Sequence, residues 1–318
     1  MERENNMEEQ QKGLVSVVIP TYGRAQYLRR AVDSVLRQTY ENIEVIVVDD
    51  NGDGTKGRIQ TEKIMRYYAG NPRVSYITYE RNRNGSHARN TGIQKSKGEF
   101  IAFLDDDDEM LKDKIRLQVK AFCGLDGSWG ACYTGYSVLK GNGYREVSCE
   151  KRMGKPYFEA LARSFYICGG SNLLIRRKVI ETVGCFDETF RRNQDIEFVV
   201  RILEQYKIAY VDSMQLLVHT ENQAERKKIY SHETESAIDD FYLAKFRDKI
   251  EGLDKKKKRR LYQYFALERF KREAGTKYMF GSAIHLLRRR VSPFLFCRYA
   301  FYLADRKKNH TIYGFRLM

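Results

Sequence analysis

Four consecutive carboxylates, Asp105, Asp106, Asp107 and Asp108, stand at the end of an apolar run. Like charges packed that closely repel one another, so the arrangement is costly unless something positive binds there. Hard oxygen donors suit Mg²⁺ or Mn²⁺, and those ions commonly bridge to phosphates. A cation on this cluster offsets the repulsion and holds a diphosphate. A second acidic pair, Asp49 and Asp50, followed by Asn51, closes another apolar run. Carboxylates there accept hydrogen bonds from a ribose or a base. Either pair alone reads as an ordinary acidic turn; two of them at two strand ends describe a nucleotide site. No Ser/His/Asp or Cys/His arrangement for nucleophilic catalysis is evident.

The elements that position these residues follow from hydrophobic patterning. Residues 14–19 form a short β-branched apolar run, the pattern of a strand buried on both faces, which Pro20 is expected to end. Helical spacing covers 26–38, a second buried strand 43–48, a second helix 55–69, and a third strand 74–78. A helix from about 87 to 95 leads to a fourth strand at 100–104 that runs into the aspartates. A βαβαβαβ run builds a parallel sheet with right-handed crossovers. Its ligands bind beyond the carboxyl ends of the strands, so both acidic clusters are expected to project into one crevice. Further on, 112–122 and 196–206 read as helices, and 130–139, 171–175 and 208–211 as strands.

Composition narrows the class. The 318 residues are 42% hydrophobic, too apolar and aromatic for a disordered chain. The six cysteines have no CxxC spacing, which argues against a disulfide scaffold or a zinc site. No stretch approaches the roughly 18 uninterrupted apolar residues of a membrane span. Residues 1–12 are polar, without the apolar segment of a signal peptide, and are expected to be a disordered leader. The net charge of +15 is uneven, because residues 251–318 hold 18 Lys and Arg against 5 Asp and Glu.

Three blocks resemble the family 2 glycosyltransferases: VSVVIPTYGRAQYLRRAVDSVLRQTYENIEVIVVDDNGDGT, ARNTGIQKSKGEFIAFLDDDDEM and GGSNLLIRRKVIETVGCFDETFRRNQDIEFVVRI. They occur in the family's order and span roughly residues 14–220. The resemblance implies a GT-A fold: an α/β, Rossmann-like, mainly parallel sheet flanked by helices. The domain would occupy 13–225, with a nucleotide half at 13–109, an acceptor half at 110–225, and a basic helical region at 226–318. It also implies an inverting, metal-dependent, non-processive transfer from a nucleotide-sugar donor. UDP is favoured by family frequency, and the acceptor is a hydroxyl of a glycan or lipid-linked glycan. Processive members carry membrane spans and a QxxRW motif, which this chain lacks.

The resemblance also assigns residues. Pro20, Thr21 and Tyr22 match the segment that packs on the nucleobase. Asp50 matches the carboxylate that reads the base, with Asp49 beside it. Asp105, Asp106 and Asp107 match the DxD element, with Asp107 a ligand for Mn²⁺ or Mg²⁺ and the choice between Asp105 and Asp106 for the ribose left open. Arg89 is placed toward the diphosphate, Asp195 matches the catalytic base, and His219 resembles a histidine that completes the metal or diphosphate site. Two departures stand out: Gln194 replaces a common Glu before the base, and the glycine of NRNGSH is shifted by one place.

Plainer readings accompany these roles. Asp195 opens a helix, which is also where an N-cap sits; His219 is equally a satisfied buried histidine; Asp187 and Glu188 read as structural. Trp129 reads as core or as acceptor-pocket wall. A sugar nucleotidyltransferase would need a Gly-rich pyrophosphate loop near the first strand, which IPTYGRAQY does not supply. A nucleic-acid-binding protein using the basic tail would leave the acidic strand ends unexplained, so nucleic acid is not an expected partner. The tail itself alternates cations with aromatic and aliphatic residues, which suits an anionic membrane surface. The expected setting is cytoplasmic, peripheral on the inner face of the membrane.

Overall fold

The computed structural model describes residues 13–141, 143–220 and 232–317. The leader expected at 1–12 lies outside these residues, as does the boundary expected between 225 and 226. The chain divides into two compact units. One comprises residues up to Pro156 together with Ile167–Thr220; the other comprises Tyr157–Tyr166 and the chain beyond Thr220.

In the first unit, β1 (Val15–Thr21) is buried at every position, as a continuously apolar run requires. It is followed by α1 (Ala25–Leu36), β2 (Ile43–Asp49), α2 (Lys56–Met65), β3 (Val74–Thr78), α3 (Gly85–Lys95) and β4 (Phe100–Phe103). β1 pairs in parallel with β2 on one side and with β4 on the other, and β2 pairs in parallel with β3. The chain thus builds outward from β1 to β3 and then returns to the opposite side of β1. That reversal makes the carboxyl end of β1 a topological switch point, with the aspartates of β2 and β4 on either side of it.

Pro20 does not end β1. The strand continues to Thr21, in register with Asp49. The β4 ladder stops opposite Val18, where Leu104 N–H donates to the Val18 carbonyl. Pro20 faces that same vacated side, so its missing N–H costs no ladder bond.

The rest of the unit is less regular. It contains β5 (Glu109–Met110), α4 (Lys114–Cys123), β6 (Trp129–Leu139) and β7 (Arg145–Ser148). The second unit contributes α5 (Tyr157–Leu161). The first then resumes with α6 (Gly169–Asn172), β8 (Leu174–Arg176), α7 (Arg177–Val183), α8 (Gln194–Gln205) and β9 (Lys207–His219). The strand order is β7-β6-β8-β4-β1-β2-β3, with β9 parallel to β6 and antiparallel to β5. β8 is antiparallel to both β4 and β6, so the sheet is mixed. Two expectations fail here. Residues 171–172, read as the start of the strand 171–175, belong instead to one helical turn, Gly169–Asn172, entered through Cys168 at φ 55°. β9 is far longer than 208–211, because it carries past Asp212 and Ser213, where the register against β6 shifts and hides the alternation.

The second unit is helical: α9 (His232–Lys245), α10 (Arg247–Glu251), α11 (Lys255–Glu273), α12 (Met279–Arg288) and α13 (Pro293–Asn309). Arg163 and Arg272 both pair with Asp239, and Tyr264 stacks on Phe315 at 5.9 Å. Among the described residues, no helix is long and apolar enough to cross a membrane.

Two tests follow from the packing of the first unit. Gly92 faces β1, and an added Cβ there would overlap the Val18 side chain. Gly92→Ala is therefore expected to destabilise by about 1–3 kcal/mol, despite the better helix propensity of alanine, as read by urea denaturation. Lys114 is fully buried, and its Nζ donates to Gln118 Oε1 at 2.8 Å and to the Asn172 carbonyl at 3.1 Å. Burial lowers its pKa to about 7 from the ordinary 10.5. Between those values the unfolded chain holds the proton and the folded one does not, so this residue makes stability rise with pH across that window. Lys114→Met should lose that rise, and its stability relative to wild type should fall progressively as urea titrations are moved from pH 7 to pH 10.5.

Candidate functional site

A cavity of about 360 Å³ opens at the carboxyl ends of β1, β2 and β4. Pro20, Thr21, Tyr22, Asp50, Arg89 and Asp105 line it, joined by Arg24, Asn82, Asn84, Gly85, Ala88 and Gln194. The two acidic strand ends, 55 positions apart between Asp50 and Asp105, therefore share one crevice. Tyr22 is 58% exposed, an aromatic face available at the cavity wall.

Asp49 and Asp50 separate because successive side chains of an extended strand point to opposite faces. Asp49 turns inward, where it accepts from Arg58 Nε at 3.0 Å, Tyr76 Oη at 2.5 Å and Asn51 Nδ2 at 2.7 Å. It does not line the cavity. Asp50 lies at the cavity and is 2% exposed. Its Oδ2 accepts from Asn82 Nδ2 at 2.7 Å and Asn84 N at 3.0 Å, and its Oδ1 from Arg83 N at 2.7 Å. Burial raises its pKa against the pull of those backbone donors. The loop it holds passes through Asn84 at φ 107°, a conformation normally left to glycine. The shifted glycine of NRNGSH thus leaves an asparagine in the strained place, where its Oδ1 accepts from His87 N and caps α3.

The four aspartates after β4 each have a different surrounding. Asp105 lines the cavity, and its Oδ1 accepts from Arg89 Nη2 at 2.5 Å. Asp106 is fully buried away from it. Thr21 Oγ1 donates to Asp106 Oδ2 at 2.6 Å, and Arg24 Nη2 lies 2.5 Å from Oδ1. Burial nevertheless raises the Asp106 pKa to about 7, with Arg24 and Thr21 opposing. Asp107 receives Arg24 Nη1 at 2.6 Å, and its carbonyl receives Arg30 Nη2 at 2.6 Å. Asp108 accepts from Ser171 Oγ at 2.6 Å and from His219 N at 3.3 Å. Burial, then Asp105 and Asp107, push its pKa well above the carboxylate range.

Carboxylate oxygens of Asp105, Asp107 and Asp108 lie within 4.8 Å of one another. An all-oxygen set of three carboxyl groups fits a hard divalent cation, whose charge would favour the ionised form of Asp108. His219 is beside this set through its backbone, with Nε2 3.6 Å from Glu109 Oε2. Arg89 lines the cavity, and its Nη1 donates to the Gly85 carbonyl at 3.2 Å; its Nε is buried with no hydrogen-bond partner among the described residues.

Asp195 lies in the first turn of α8, following Asn193, whose side chain makes no cap. Burial raises its pKa; Arg89 opposes this and Asp105 adds to it. Its carboxylate abuts Gly169, where an added Cβ would lie 3.1 Å from Oδ2. A Cβ on Gly170 would lie 3.3 Å from Asp105 Oδ2. Asp195, Arg89, Asp105 and the glycine pair thus converge. Glu188 is structural in placement: it accepts from Asn90 Nδ2 at 2.9 Å and meets His87 Nδ1 at 3.0 Å, latching α3. Trp129 opens β6 with Lys207 Nζ 5.4 Å over its ring and does not line the cavity.

Sequence reasoning included Asp108 in the acidic run but gave it no ligand role of its own, and it missed Arg24 and Ser171. Arg24 and Ser171 had no signal of their own, since both matter only through contacts made 63 to 83 positions away.

Comparison with known proteins accounts for the arrangement. A family model described as Glycosyl transferase family 2 matches residues 16–184. An uncharacterized glycosyltransferase of Rickettsia felis is 33% identical over 229 residues, covering 71% of this chain and 37% of the relative. The chain thus spans well under half of that relative. The amylovoran biosynthesis glycosyltransferase AmsB of Erwinia amylovora is 28% identical, covering 58% of this chain and 62% of AmsB. In fold, the chain is similar to S. aureus TarS 1–349 in complex with UDP-GlcNAc, with a TM-score of 0.62 at 16% identity over 87% of this chain and 79% of that one. The fold is GT-A, and with over half of its length matched by the family model, the chain belongs to glycosyl transferase family 2.

Proposed function

We propose that this protein transfers a sugar from a nucleoside-diphosphate sugar to an acceptor hydroxyl with inversion at the anomeric carbon. The observation that carries the reading is the convergence of Asp50, Arg89 and Asp105 on one cavity, with Asp195 held against the same cluster. In this reading Pro20, Thr21 and Tyr22 pack on the base, and Asp50 fixes the loop 82–84 while accepting from the nucleoside. Asp105 serves the ribose or the cation, and the Arg89 guanidinium, at the cavity wall, faces the diphosphate.

Inversion is a single displacement. The acceptor oxygen forms a bond to the anomeric carbon as the bond from that carbon to the phosphate oxygen breaks, and the bonding pair leaves with the nucleoside diphosphate. Asp195 takes the acceptor proton, a role its raised pKa suits. Arg89 stabilises the charge that builds on the departing diphosphate. Asp105, Asp107 and Asp108 would hold Mn²⁺ or Mg²⁺, with His219 alongside. Such an ion, when bound, supplies Lewis-acid stabilisation to the leaving group.

UDP is the favoured nucleotide, supported by the UDP-GlcNAc complex of TarS. A glycan or lipid-linked glycan acceptor, in surface polysaccharide assembly, is supported by the amylovoran biosynthesis named for AmsB.

Two experiments test the reading. Asp195→Asn is expected to lower turnover by about 10²–10⁴-fold while UDP affinity by calorimetry stays unchanged; near-wild-type turnover would mean that the base lies elsewhere. UDP should bind wild type more tightly with Mn²⁺ than with EDTA. Asp107→Ala should abolish that difference, whereas metal-independent binding in both proteins would remove the cation from the mechanism.

A further inference from the structure

The basic helical unit exposes large apolar side chains in an ordered way. Phe280 and Leu287 on α12 are 76% and 75% exposed, and Phe294 and Phe301 on α13 are 77% and 76% exposed. Seven residues separate the members of each pair, so each pair lies on one helix face, with Ile284 extending the first. The opposite faces are already occupied. Ser282 and Leu286 are buried on α12, and Leu295, Tyr299 and Tyr302 on α13, where Tyr299 and Tyr302 meet Phe315 at 5.3 and 5.2 Å. The helices are thus fixed by their inner faces, and folding does not need the outer ones.

Between Leu287 and Phe294 the chain turns through Arg288, Arg289 and Arg290, all exposed. Gln263 Nε2 donates to the Arg290 carbonyl at 2.7 Å and Arg289 lies 4.4 Å over Tyr262, so the turn is anchored to α11. The result is a fixed three-arginine turn bracketed by two protruding apolar side chains.

We propose that this face, α12, the arginine turn and α13, docks on an anionic lipid bilayer. The arginines meet the headgroups, and Leu287, Phe294 and Phe301 enter the acyl boundary. Charge selects this occupant over a second copy of the chain. Residues 251–318 carry 18 cationic against 5 acidic side chains, so a second copy would bring the same excess to the same face, whereas anionic headgroups complement it. Because no described helix is long and apolar enough to cross a membrane, the contact lies on the bilayer surface. The proposal goes beyond sugar transfer and stands without it.

The test is sedimentation of the full chain with vesicles of phosphatidylcholine, with and without phosphatidylglycerol, with circular dichroism as the check on folding. Wild type should pellet only with the anionic vesicles and be released by salt. Each cation near an anionic surface strengthens binding about fivefold, so replacing all three arginines (Arg288→Gln, Arg289→Gln, Arg290→Gln) should weaken it about a hundredfold. A Phe294→Ser, Phe301→Ser double variant should also lose binding while its dichroism stays unchanged. Failure of wild type to pellet, or unchanged pelleting of both variants, overturns the proposal. So does a wild-type dimer in ultracentrifugation that the phenylalanine variant abolishes, since the face would then belong to a second copy.

Discussion

Mutual repulsion among the four aspartates after β4 is the constraint that the surrounding structure answers. Three of the four are almost wholly buried, where removing one partner of a charged pair typically costs about 3–5 kcal/mol. The answering groups come from separate elements. Arg24 lies just before α1 and bridges Asp106 and Asp107; Arg30 in α1 takes the Asp107 carbonyl; Arg89 in α3 takes Asp105. Asp108 receives donors from Ser171 and the His219 backbone, and it is the carboxyl pushed well above its ordinary range. Cationic partners cover the first three and neutral donors the last, so Asp108, which converges with Asp105 and Asp107, is the carboxyl left without a cationic partner among the described residues.

The sheet turns this local problem into a site. Because β1 lies between β2 and β4, whatever follows those two strands must emerge on either side of Thr21. Thr21 makes the junction concrete: its hydroxyl donates to Asp106 while its carbonyl accepts from Asp50 N at 2.9 Å. One residue thus ties the two acidic clusters together across 56 positions of chain.

The architecture up to β4 was legible because it rests on continuous apolar runs and local helix periodicity, signals contained within each element. The shared cavity was legible for the same reason, since it follows from strand order. What stayed hidden depends on long-range geometry. Pro20 looked like a strand end, because the sequence does not show that β4 stops opposite Val18. The resemblance groups Asp49 with Asp50 and leaves Asp105 and Asp106 as alternatives for the ribose; Arg58 and Tyr76 hold Asp49, and Thr21 and Arg24 hold Asp106, off the cavity, which only the folded chain shows. The strand β9 was cut short at Asp212 because register shifts against β6 break the period that reveals a strand.

The segment 169–172 explains how the acidic run and Asp195 keep a fixed separation although they lie on different elements. Ser171 accepts from Asp105 N at 3.0 Å and donates to Asp108, so it grips the run at two points. Gly170 and Gly169 then pass directly over Asp105 and Asp195, with no side chain to intervene. Asn172 secures the segment from behind through Thr134 O at 2.7 Å and the Ile167 carbonyl at 2.9 Å, while the buried Lys114 holds the Asn172 carbonyl. Position is therefore transmitted from β6 and α4 through hydrogen bonds to the carboxylates, and not along β4 or α8 themselves. A Cβ at 169 or 170 would press on the Asp195 or Asp105 carboxylate at 3.1 or 3.3 Å, so the preference for glycine there comes from the closeness of the site and not from backbone conformation, neither residue having a positive φ.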